Sequence, residues 1–265
     1  MIYPEPAATV TLLTDFGLDD PFVGIMKGVM LREAPALRFV DITHEVPPQD
    51  VALAELWLDA SYRWFPAGSV HLCVVDPGVG TARAALVAVA AGHYFVAPDN
   101  GVLSGVLRGA GGEVRHVDVA RLGLHPRSRT FHGRDIFAPV AALLASGKVA
   151  FEALGPRCEP LLAAEQPPIR GEEALFGRVV AVDHFGNLIT NVPGAWISAG
   201  FVRVEVGSRT LRMVSTYAEA EIGECVALIS SFDTLEVAVR NGHAARELDV
   251  ARGASVRVLR EDGRS

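Results

Sequence analysis

The sequence predicts an α/β domain, built on a mainly parallel sheet with helices on both faces, followed by a small all-β barrel-like domain. Three observations lead there. Over roughly the first 150 residues, short β-rich runs alternate with longer runs of helical periodicity, the pattern of a parallel sheet covered by helices. Between Leu154 and Arg170, Pro156, Pro160, Pro167 and Pro168 rule out a helix or a central strand. Beyond them the runs turn short and β-branched, as in a small barrel or sandwich. The expected domains are residues 1–165 and 172–265.

The elements follow in order. Ala8 to Leu13 reads as a strand that ends at Thr14-Asp15-Phe16-Gly17. Asp19 or Asp20 is placed to cap a helix with Pro21 in its first turn, and Phe22, Ile25, Met26, Val29 and Met30 share one helical face. Leu37 to Ile42 is a second strand, Val51 to Phe65 a second helix, and Val70 to Val75 a third strand. Ala85 to Ala90 and Tyr94 to Ala97 follow as strands. The turn Pro98-Asp99-Asn100-Gly101 and a helix to Leu107 come next, and Asp135 to Ala145 closes this half as a helix. The second half offers Arg178 to Val182, Leu188 to Asn191, Val202 to Val206, Leu211 to Val214, Val226 to Ile229, Leu235 to Val239 and Ser255 to Leu259, with one helical piece at His243 to Leu248.

Composition narrows the function. Half of the 265 residues are hydrophobic and 21% are charged, enough for a real core and too apolar for disorder. A net charge of −7 without a dense Lys/Arg cluster argues against nucleic acid as a partner. No apolar run is long enough to span a bilayer, and Met1 to Thr9 carries no basic segment of a signal peptide. Cys73, Cys158 and Cys225 are far apart and form no CxxC, so they read as reduced, mostly buried thiols of a cytoplasmic protein.

Chemistry is expected at the polar turns after strands, where open α/β sheets bind ligands. These are Thr14-Asp15, Asp76-Pro77-Gly78, Asp99-Asn100-Gly101 and, in the second half, Asp183-His184-Phe185-Gly186-Asn187. An Asp just after a first strand suits a vicinal diol, because one carboxylate accepts from two hydroxyls. Thr130-Phe131-His132-Gly133-Arg134-Asp135 puts an imidazole just before an apolar run, and Arg83 lies seven residues after Asp76. An acid, an arginine and a histidine at element edges are parts for activating a small nucleophile. Gly78-x-Gly80 lacks the third glycine and the lysine of a phosphate loop.

At these residues the chain resembles the S-adenosylmethionine hydroxide adenosyltransferases, hydrolytic relatives of fluorinases and chlorinases. The likeness is carried by Thr14 to Gly17, Asp41 to Asp50, Val75 to Thr81, Pro98 to Gly101, Thr130 to Asp135 and Phe185 to Asn191, in order, and covers roughly residues 9 to 259. It implies SN2 attack of water or hydroxide on C5′ of S-adenosyl-L-methionine, giving adenosine and L-methionine, with no cofactor and no metal. Asp76, Arg83 and His132 match the set that handles the water; which of Asp76 and His132 takes the proton stays open. The halogenases carry Tyr, Tyr and Ser at Asp76, His132 and Gly133, so this chain sides with water at all three positions. The sulfonium is already a good leaving group, so the demand falls on orienting and deprotonating the nucleophile. Arg83 stays cationic and suits hydroxide character.

The resemblance also implies the substrate contacts. Asp15 matches the ribose-diol carboxylate, and Asp183 with Asp19 or Asp20 matches groups near the methionine ammonium. Asn187 matches an adenine-binding amide, Phe185 and Tyr217 aromatic walls, and Ser231 a carboxylate contact. Gln49 stands where the halogenases have Trp, and Phe232 where they have Arg. A homotrimer is implied, with the site shared between the N-terminal domain of one subunit and the C-terminal domain of its neighbour. Two other readings stay open: a metal-dependent hydrolase on His132, Asp135, Asp183 and His184, and a nucleoside-binding module without turnover.

Overall fold

Residues 3–197 and 201–260 are described by a computed structural model; the outermost ends of the two expected domains, and Met1 of the N-terminal segment, lie outside them. The chain divides into two compact units, Met1–Ala164 and Glu165–Ser265.

The first unit runs β1 (Thr9–Thr14), α1 (Phe22–Glu33), β2 (Arg38–Thr43), α2 (Val51–Ser61), β3 (Val70–Val74), β4 (Ala85–Ala90), β5 (His93–Pro98), α3 (Ser104–Ala110), β6 (Glu113–His116) and α4 (Ala138–Ala145). Its sheet has the order β2-β1-β3-β5-β4-β6 and is mixed. β2, β1, β3 and β5 are parallel, whereas β4 runs against both β5 and β6. The reversal has a local cause. Only Ala91 and Gly92 separate β4 from β5, both with positive φ (49° and 79°). A parallel pair needs a crossover of a dozen residues, so so short a link dictates a hairpin.

Strand alternation sorts the side chains into two apolar clusters. Val10, Leu12, Leu72 and Val74 pack with Met26 and Met30 of α1 and with Val140 and Leu144 of α4. Leu13, Cys73, Leu86 and Phe95 pack with Ala54 and Leu58 of α2 and Val106 of α3. Cys73 is buried, but Cys158 and Cys225 are only half-buried.

Several expected elements shift. Neither Asp19 nor Asp20 caps α1: Pro21 occupies the cap position, without a side-chain bond. Of the expected α1 face, Met26 and Met30 are buried together with Val23, while Phe22 and Ile25 are exposed. Asp50 caps α2 by accepting from Leu53 N–H at 3.0 Å. The second helix ends at Ser61 and continues as one 3-10 turn, Tyr62–Trp64. The short edge strand β6 escapes a sequence reading because Glu113, Arg115 and His116 make it look like a loop. Glu113 is nonetheless buried, satisfied by Tyr3, Arg115 and Arg157.

The helix expected from Asp135 begins instead as a π-helical turn, Gly133–Phe137, and becomes α-helical at Ala138. Pro139 explains this. It has no N–H to give the carbonyl of Asp135, and its ring crowds that carbonyl, so the preceding turn widens and Ala138 N–H reaches Gly133 O.

The second unit contains β7 (Ile169–Arg170), β8 (Ala174–Val182), β9 (Leu188–Pro193), β10 (Phe201–Val206), β11 (Arg209–Arg212), β12 (Cys225–Ile229), β13 (Thr234–Val239), α5 (Ala244–Glu247) and β14 (Ser255–Arg260). The order β11-β10-β14-β8-β9-β13-β12 is antiparallel throughout, with β7 at the edge of β8. A bridge from Met213 to Ala227 brings the two ends together into a nearly closed barrel. Leu175, Val204, Leu235, Val237 and Val258 fill it.

At the start of β3, far along the strand from Asp76, His71 is fully buried. Its Nδ1 lies 2.8 Å from Thr11 Oγ1 and its Nε2 3.1 Å from His93 Nδ1. Burial, helped by His93, lowers its pKa from 6.5 to about 3. The folded chain therefore keeps His71 neutral, while the unfolded chain takes up a proton below about pH 6.5. Its contribution to stability is complete above that pH and is lost as pH falls toward about 3. Urea midpoints at pH 7 and pH 4 should accordingly differ more in the wild type than in His71→Leu. Equal differences would show that His71 does not titrate this way.

Candidate active site

The parallel strands β1 and β3 end side by side, and the residues just beyond them, Asp15 and Asp76, enter one cavity of about 370 Å³. Its wall also includes Phe16, Phe22, Pro48, Gln49, Val74, Val79, Thr130, Phe131, His132 and Gly133. Phe131 forms edge-on ring contacts with Phe22 and Phe16, centroids 5.3 and 6.1 Å apart, which makes one side aromatic.

The turn after β3 folds the chain back on itself. Val79 N–H donates to Asp76 O at 3.2 Å and Thr81 N–H to Gly78 O at 3.1 Å. Gly80 has φ +81°, and a Cβ there would sit 2.8 Å from Arg129 O, so both the turn and its approach to the 129–132 segment require glycine. The double turn returns Arg83 to Asp76. Arg83 Nε donates to Asp76 Oδ1 at 2.9 Å and its NH2 group to Asp76 Oδ2. The same NH2 group lies 3.0 Å from His132 Nδ1. The guanidinium stacks 5.0 Å from the centroid of Phe137, at the junction of the π turn and α4. Side-chain exposure is only 10% for Arg83 and 6% for Asp76, so this is a largely desolvated pair. Burial and the Arg83 cation push the His132 pKa below the usual imidazole value, against the pull of Asp76 and Asp135.

Asp135 has a supporting task. It accepts from the backbone N–H groups of Arg127 and Ser128, each at 2.9 Å, and pairs with Arg134. Those bonds, Arg134 first, hold its carboxyl below the ordinary range. They fasten the segment that presents His132. Among the described residues, no group of three or more His, Cys, Asp or Glu is placed to hold a metal ion.

Asp15 Oδ2 accepts from Gln49 N–H at 2.8 Å. Gln49 holds φ +68°, an uncommon conformation for a residue with a side chain. Nothing in the sequence pattern marks Gln49 as a strained backbone donor. Asp19 and Asp20 are exposed and do not line the cavity. Asp99 and Asn100 fasten the fold instead: Asp99 accepts from Leu161 N–H and Asn100 Nδ2 donates to Val75 O, each at 2.8 Å.

In the second unit, Asp183 and Asn187 close a tight loop between β8 and β9. Asp183 Oδ1 accepts from Asn187 N–H at 2.8 Å and Oδ2 from Asn187 Nδ2 at 3.0 Å. Gly186 has φ +89°, and a Cβ there would overlap His243. Phe185, 73% exposed, stands at the loop's tip. Tyr217 is also exposed, and its hydroxyl donates to Glu236 at 2.5 Å. Glu236 is buried, its pKa raised by burial and, more weakly, by Asp183. It sits mid-strand in β13 with no motif to announce it. Ser231 is exposed in the turn between β12 and β13.

Known proteins share this architecture. A family model described as the SAM hydroxide adenosyltransferase N-terminal domain matches residues 10–155, and its C-terminal counterpart matches residues 177–257. The (R)-S-adenosyl-L-methionine hydrolase of Thermus thermophilus is 40% identical over 94% of this chain and 99% of its own. The enzyme of the same name from Salinispora tropica is 39% identical over 96% and 98%. Among solved structures, an uncharacterized conserved protein from Thermotoga maritima matches with a TM-score of 0.89 and 38% identity, over 95% of this chain and 100% of that one.

Proposed function

The chain belongs to the SAM hydroxide adenosyltransferase family, and from that premise we propose that it hydrolyses S-adenosyl-L-methionine to adenosine and L-methionine. The observation that carries this reading is the meeting of Asp76, Arg83 and His132 at the cavity into which Asp15 also projects. A water molecule in the cavity beside this set attacks C5′ in line with the C5′–S bond. The O–C5′ bond forms as C5′–S breaks, and the departing electron pair neutralises the sulfonium to give methionine. The protein has no leaving group to protonate, so its residues serve the nucleophile.

Asp15 grips the ribose 2′- and 3′-hydroxyls. The Gln49 N–H holds one of its oxygens, which fixes the carboxylate plane. Asn187 reads adenine: with one amide N–H spent on Asp183, its other N–H and its Oδ1 match N7 and the N6 amino group. Phe185 and Tyr217 flank the base, Asp183 and one of Asp19 and Asp20 face the methionine ammonium, and Ser231 meets the carboxylate. No cofactor takes part.

Incubation in ¹⁸O-enriched water should yield adenosine labelled at the 5′-hydroxyl, with no 5′-chloro-adenosine at high chloride. Accumulation of the chloro compound, or unlabelled adenosine, would reject the hydrolase reading. Asp15→Ala should weaken substrate binding by about 2–4 kcal/mol, since buried hydroxyls lose their partner. Equal affinity of the wild type for the ribose and 2′-deoxyribose forms would remove Asp15 from the site. We also propose the homotrimer implied by the family, so mass photometry of active protein should report three chains per particle; an active monomer would contradict it.

A further inference from the structure

We propose that Arg83 is a strut rather than a ligand of the nucleophile, that it locks His132 with its proton on Nε2, and that Asp76 is therefore the group that takes the proton from the attacking water. This rests on the hydrolase reading and assigns the separate tasks within its site.

A guanidinium has five N–H donors and no lone pair. Arg83 gives Nε–H and one NH2 hydrogen to Asp76, and NH1 points to Ala84 O at 3.5 Å. The second NH2 hydrogen meets His132 Nδ1 at 3.0 Å. Because arginine can only donate, Nδ1 must be the accepting, unprotonated nitrogen, and a neutral ring then carries its proton on Nε2. The depressed His132 pKa agrees with a neutral ring. Asp76 and His132 line the cavity and Arg83 does not. Four of its five donors face the two residues it joins and a backbone carbonyl, and its Cζ lies over the Phe137 ring.

The consequence for the reaction is specific. Protonation at Nδ1 would set an N–H against the guanidinium, and Nε2 already holds its proton, so His132 has no lone pair to offer the water. It can donate from Nε2–H to the water oxygen and aim it. Asp76 keeps acceptor capacity, since a carboxylate has about four lone-pair sites and Arg83 uses two. A carboxylate paired with arginine is a weak base, but the water becomes strongly acidic as its bond to C5′ forms. The proton then passes to Asp76 as the C5′–S electron pair goes to sulfur, and Asp76 releases it to solvent after adenosine leaves.

The test is a long-range ¹H–¹⁵N correlation spectrum of the full chain, labelled on histidine nitrogen, without substrate. At pH 7 His132 should show an unprotonated Nδ1 and a protonated Nε2, and Arg83→Met, which removes every donor facing Nδ1, should relax this to a mixture of tautomers. A protonated Nδ1 in the wild type, or an unchanged tautomer in a folded Arg83→Met, would overturn the proposal. In a second arm, His132→Gln keeps an N–H donor that cannot take a proton. Its single-turnover rate should exceed that of His132→Ala at least about tenfold, and equal rates would also overturn it. The spectrum needs no substrate, so it stands or falls separately from the reaction itself, which the product analysis decides.

Discussion

The desolvated bridge from Asp76 through Arg83 to His132 is the constraint around which the first unit's site is built. Burying a cation and a carboxylate is costly unless geometry is good and remaining donors find partners. Here the bidentate contact, the imidazole acceptor and the Phe137 ring meet that demand together. Each depends on a different stretch of chain. The double turn at residues 76–83 needs glycine at position 80, the segment before His132 needs Asp135 to fasten it, and Phe137 is placed by the π turn that Pro139 imposes. Asp76, Arg83 and His132 are 7 and 49 residues apart in sequence, yet their positions are set jointly by a strand end, a turn and a helix start.

Much of the fold is legible because burial imposes periodicity. β1, β3 and β5 are buried runs, mostly apolar or β-branched, closed by polar turns. The failures share a cause: a single local feature overrides the pattern. Two residues between β4 and β5 reverse a strand that alternation alone would make parallel. Pro139 turns the start of a helix into a π turn, and a salt-bridged Glu113 lets a charged tetrapeptide serve as an edge strand. The acid pair Asp19-Asp20 looks like a cap, but Pro21 takes the cap position itself.

The site divides in the same way. Asp76, Arg83 and His132 stand out because polar residues of unlike charge punctuate apolar runs, and the structure brings them within hydrogen-bond distance. Gln49 stays hidden because its contribution is a backbone N–H held at positive φ. Within the second unit, Glu236, the partner of Tyr217, stays hidden because a buried carboxylate mid-strand resembles any other strand residue. Arg83 is conspicuous in the sequence as a cation seven residues after Asp76, but only geometry reveals that four of its five donors point at its neighbours.

If the bridge acts on the nucleophile, rather than merely holding the fold together, removing the basic carboxylate slows the chemical step. Asp76→Asn isolates that effect, because the amide keeps the shape of the carboxylate and removes the acceptor for the proton. Single-turnover rates and substrate affinity should be measured side by side on protein whose circular dichroism matches the wild type. The chemical step should slow by about 10²–10⁴ with affinity changed far less. A folded Asp76→Asn that turns over S-adenosyl-L-methionine at the wild-type rate would contradict it.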